Sequence, residues 1–120
     1  MANATFVRGA TQENETENTF RGLVGSLDLP PEMAARIREI ISRSVVARDA
    51  LPSQISERRP APEGDGTMIP GLWSRTMLLL AERNAAIQAL LTDPEQQRVF
   101  EVNAFAEMQQ LFAMRPHWAN

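Results

Sequence analysis

The sequence has no cysteine, no tyrosine and no lysine, and its single histidine is His117. Without cysteine there is no disulfide framework, no thiolate nucleophile and no cysteine-held metal. Its absence fits an oxidising and a reducing compartment equally. With lysine missing, all 12 basic residues are arginine, so every cation can make planar, two-pronged contacts to carboxylates. One histidine with scattered methionines is too few ligands for a structural metal site. Long apolar runs are missing too. The longest, around residues 77–81, is far too short to span a bilayer. The opening Met1-Ala2-Asn3-Ala4-Thr5-Phe6-Val7-Arg8 lacks the charged-then-apolar order of a secretory signal. The compartment is therefore expected to be the periplasm if a signal peptide has been removed, and the cytoplasm otherwise.

Catalytic patterns are equally scarce. Gly22-Leu23-Val24-Gly25-Ser26 does not have the Gly-x-Ser-x-Gly spacing of a nucleophile elbow. No alternating strand pattern precedes a glycine-rich turn, so there is no phosphate-cradling loop. Glu63 and Asp65 are close in sequence but sit among prolines and glycines, with nothing to perturb their titration. The expectation is a non-enzyme with no cofactor, no catalytic residues and no metal.

What is present is a helical pattern. A chain of 120 residues, 43% hydrophobic, supports one domain with a modest core. A net charge of -3 and a pI near 5.2 argue against a nucleic-acid or anionic-membrane binder, which would carry a basic stripe. Residues 1–18 are small and polar, with Glu13, Glu15 and Glu17 alternating with Asn14, Thr16 and Asn18. They read as a flexible arm, or as one that orders only against a partner. From 19 to 115 the pattern is that of a single helical domain, followed by a tail at 116–120. Phe20, Leu23, Val24 and Leu27 share one face of a short first helix that Leu29-Pro30-Pro31 ends. Met33, Ile37, Ile40, Ser44, Ala47 and Leu51 form a heptad seam on a second, widened by Ile41 and Val45. Pro52 is expected to stop it. Residues 52–71, rich in proline and glycine, read as a long connection in which one turn near 54–58 survives.

The third helix, about 71–91, carries Trp73, Met77, Leu80, Asn84, Ile87 and Leu91 at the same alternating spacing. Leu72, Leu78, Leu79 and Leu90 broaden it. The fourth runs towards Met114 with Phe105, Met108 and Phe112 on its seam and Phe100, Ala104 and Leu111 alongside. The predicted fold is all-α, with three or four helices built on a long antiparallel hairpin and completed by dimerisation. Ser44 and Asn84 interrupt the two facing seams. Either they form a buried polar pair that sets register, or the seams turn towards solvent there.

Between the last two helices lies Leu90-Leu91-Thr92-Asp93-Pro94-Glu95-Gln96-Gln97. Thr92 followed three residues later by Glu95 is a capping-box pattern, with proline tolerated in the first turn. This segment resembles the LTxxQ element of the Spy/CpxP-type periplasmic proteins, and the order of helices over about 20–112 is similar to theirs. It departs from the pattern where Asp93 delays the glutamine to Gln96, and where Pro30 and Met33 stand in the expected earlier copy. The histidines of metal-binding relatives are also missing. The resemblance implies an all-helical, often dimeric, ATP-independent stress protein that binds unfolding clients or senses envelope metal.

Protein is the partner class the residues favour. Phe100, Phe105, Met108 and Phe112 are either core or an adaptable apolar surface, and the fourth helix is apolar over more than one stripe. Arg38 and Arg48, with Arg36 and Arg43, either line a face for acidic or unfolded partners or belong to a solvated, ion-paired face. In the latter, Glu32 and Glu39 pair with Arg36 and Arg43 at i, i+4. The expected function is chaperone-like or stress-related holding of apolar client segments. The alternative is an accessory or scaffolding subunit of a larger assembly.

Overall fold

The computed structural model describes residues 4–58 and 71–114, with side chains over 11–52 and 71–114. Four helices follow one another: α1 (Ala4–Val24), α2 (Pro31–Arg58), α3 (Leu72–Leu90) and α4 (Pro94–Ala113). There is no strand among the described residues. The expected all-α architecture holds. The greater part of the expected 52–71 connection, residues 59–70, and the 116–120 tail with His117 lie outside the described residues.

Three boundaries differ from the sequence expectation, the first being that α1 stops at Val24, short of Leu29-Pro30-Pro31, so that Leu27 lies beyond the helix. The stretch read as a polar arm is helical from Ala4 and continuous with the apolar face at Phe20–Val24. Its ordering partner is α2 of the same chain. Gln12 donates to Asp49 at 2.9 Å, Arg48 grips Glu15 through both terminal nitrogens, and Arg38 Nε donates to Glu17 at 2.7 Å. Thr16, 8% exposed, sits among them in the packed interface. Nor does Pro52 end α2, which runs on to Arg58. Proline removes the N–H that would have met the carbonyl of Arg48 and crowds that carbonyl, while Leu51 beside it is buried.

Elsewhere the punctuation is as the residues require. Pro31 starts α2, where a missing N–H costs nothing. At the exit of α1 a Cβ on Gly25 would lie 2.5 Å from the carbonyl oxygen of Arg21, so only glycine fits. Gly71 opens α3 at φ 81, the left-handed region that favours glycine.

The helices close a ring in which α2 packs along both α1 and α3, and α1 packs along α4. Around this ring, the backbones approach each other least between α3 and α4. Phe20, Leu23 and Val24 from α1 meet Ile37, Ile41 and Val45 from α2, Ile87 and Leu91 at the end of α3, and Phe100 and Ala104 from α4. On α2 the innermost row is thus Ile37–Ile41–Val45. The predicted seam positions Ile40, Ser44 and Ala47 are half-buried on the side facing Leu79 and Ala86 of α3. One helix with two neighbours needs two stripes, and that is why its apolar surface looked wide.

Candidate functional site: an apolar stripe on the last helix

α4 starts at a cap, but not the predicted one. Asp93 is the N-cap, in extended conformation, and its carboxylate accepts from the N–H of Glu95 at 3.0 Å. Thr92 is exposed one residue too early. The capping box expected at Thr92 is therefore corrected. Asp93 precedes Pro94 and is itself extended at φ −82, ψ 123, so the helix starts one residue later than predicted and the cap passes from Thr92 to Asp93. Gln97 reaches back to donate to the carbonyl of Leu91, and Gln96 donates to the carbonyl of Asp28 at 3.5 Å.

Which face of α4 points inward is decided by four anchors. Phe100 (2% exposed) and Ala104 enter the core, Asn103 donates to the carbonyl of Leu23 at 2.9 Å, and Glu107 meets Arg83 of α3. Phe100 is consequently a core residue and offers nothing to a partner. On the opposite side, Arg98, Val102, Phe105, Gln109 and Phe112 are exposed and fall within about 80° of arc at 100° per residue. Val102 is 62% exposed, Phe105 64% and Phe112 54%. Phe112 keeps one edge against Trp73 of α3, with ring centroids 6.1 Å apart and planes at 67°, so the stripe is steadied from beneath. Met108 flanks it half-buried. The predicted seam Phe105–Met108–Phe112 was thus rotated. Two of its members face solvent, and the inward row is Phe100–Ala104–Glu107–Leu111.

The arginines proposed for partners lie elsewhere. Arg38 lies 4.0 Å over the ring of Phe20 while its nitrogens meet Glu17. Arg48 is shared between Glu15 and Asp49. The hydrogen bond to Glu15 raises its pKa above the ordinary guanidinium value, against the opposing effect of partial burial. Both side chains fasten α1 to α2. The structure therefore does not bring Arg38 or Arg48 together with the aromatic residues of α4. Of the two predicted i, i+4 pairs, Glu39–Arg43 forms at 2.9 Å.

Two features escaped the sequence reading. Val102 belongs to the exposed stripe, and the 3-4-3 spacing of 102, 105, 109 and 112 was there to find it. Arg83 is buried, 5% exposed, in a position that only the row Leu79–Arg83–Ile87–Leu91 marks as inward. No helix among the described residues is long and apolar enough to cross a membrane, and no group of three or more His, Cys, Asp or Glu could hold a metal ion there. No family model, curated protein or solved structure matches this chain.

Proposed function

We propose that this is a non-enzymatic protein-binding protein that holds apolar segments of other proteins against the outer face of α4, in a chaperone-like or stress-response role. The observation that carries this reading is the row Val102, Phe105 and Phe112, each more than half exposed on a helix whose other face is firmly anchored. Contiguous apolar surface left in water marks interaction sites. The resemblance of the helix order to the Spy/CpxP-type proteins supports the same reading.

The test is suppression of aggregation of a denatured client by the full chain, compared with a V102S/F105S/F112S variant. The parent should suppress aggregation and the variant should not, while their far-ultraviolet spectra stay alike. Equal suppression by both, or none by the parent, overturns the proposal.

The spacing of the stripe favours a second reading. Val102, Phe105, Gln109 and Phe112 alternate steps of three and four, the seam of helix-on-helix packing, and a polar residue within such a seam sets register. That suits an accessory subunit docking on one partner helix, or a second copy of this chain covering the stripe in a dimer. A stoichiometric complex recovered from the native host, or a dimer by light scattering that V102S/F105S/F112S dissolves, would distinguish these from client holding.

A further inference from the structure

A cavity of about 140 Å³ lies between the four helices, with residues of each in its lining. Val45, Leu79, Leu80 and Leu111 give it an apolar wall, and Ser44 and Thr19 add hydroxyls. Two ion pairs close its polar side, Glu15–Arg48 and Arg83–Glu107. From these we infer that the interior of the bundle is a binding site for a small uncharged amphipathic molecule, a single ring or short chain bearing one hydroxyl.

Size sets the first limit. A cavity of roughly 150 Å³ accommodates benzene, so this one takes about six to eight non-hydrogen atoms. Charge sets the second. Within the lining Arg48 is met by Glu15 and Arg83 by Glu107, with Asp49 adding to Arg48 from outside the lining, so no charged group of the cavity wall is left to serve as counter-ion and an ionic ligand would lose its hydration uncompensated. The polar handle sets the third. Thr76 has committed its hydroxyl to the carbonyl of Leu72 at 2.8 Å. Those of Ser44 and Thr19 stand half-buried on the cavity wall. Each can both donate and accept, which matches a ligand hydroxyl. Residues from all four helices share this cavity, so occupancy would brace α3 against α4.

The probes are phenol and benzyl alcohol, with benzoate and benzylammonium as charged counterparts of similar size. The readouts are methyl shifts of Val45, Leu79, Leu80 and Leu111 in the full chain, together with the melting temperature. Neutral probes at millimolar concentration should move those methyls and raise the melting temperature. Charged ones should do neither. Ser44→Ala should weaken phenol binding by about threefold to tenfold, the effect of one hydrogen bond, with its own melt confirming the fold. V102S/F105S/F112S should leave binding unchanged, which separates this site from the α4 stripe. Unmoved cavity methyls, equal response to charged probes, or perturbation confined to Phe105 and Phe112 overturns the inference.

Discussion

Arg83 of α3 and Glu107 of α4 form an ion pair in which the arginine side chain is 4% exposed and the glutamate 28%. Asn84 completes the arrangement, accepting from Nε at 3.0 Å and from Nη2 at 2.8 Å. Long side chains thus bridge the two helices of the ring whose backbones approach each other least. A buried pair of this kind is costly to break and cheap to replace, because removing one partner strands the other charge. Glu107→Leu should cost about 3 kcal/mol. Adding Arg83→Met should recover most of that loss. Denaturant unfolding of the two single variants and the double variant measures the coupling, and additive losses would mean the pair contributes nothing jointly.

The start of α4 offers a test between neighbouring residues. Asp93→Ala removes the side chain that caps Glu95 and should lower stability by about 1 kcal/mol. Thr92→Ala, one position earlier and exposed, should stay within about 0.5 kcal/mol of the parent. Thermal melts of both variants decide it, and the reverse ranking would return the cap to Thr92.

Two phenylalanines five residues apart on α4 should respond in opposite ways. Phe100→Ala opens a hole in the core cluster that it shares with Val24, Ile37 and Ile41, and large core truncations of this kind cost about 3–5 kcal/mol. Phe105→Ala removes a mostly solvated ring and should barely move the unfolding midpoint. Comparable losses at both positions would mean the outer stripe is covered within the chain itself.

Over residues 11–18, α1 is tied to α2 by the polar side chains Gln12, Glu15 and Glu17. Glu15→Ala releases Arg48, and amide protons over 11–18 should then exchange about threefold to tenfold faster than in the parent, while those over 20–24 are unaffected. The pair is about a third exposed on each side, so its removal should change global stability little. Hydrogen exchange resolved by residue separates the two effects, and a uniform change across α1 would contradict them.

Local chemistry alone determined that the chain is helical. Apolar residues recur at three and four, strand alternation is missing, and a proline and a glycine mark helix starts at Pro31 and Gly71. Apolar spacing also placed Phe20, Leu23, Val24, Ile87 and Leu91 in the core. Tertiary structure decided the rest. Whether a polar stretch such as 4–18 becomes helix depends on partners distant in sequence, here Arg38, Arg48 and Asp49 of α2. A helix with apolar residues on two sides does not reveal from its own sequence which side meets the core. On α4 that choice fell to Phe100, Asn103 and Glu107, because the neighbours they meet come from α1, α2 and α3. The same packing left Phe105 and Phe112 in water and drew Arg83 inside, since burial depends on what surrounds a side chain as well as on its own hydrophobicity.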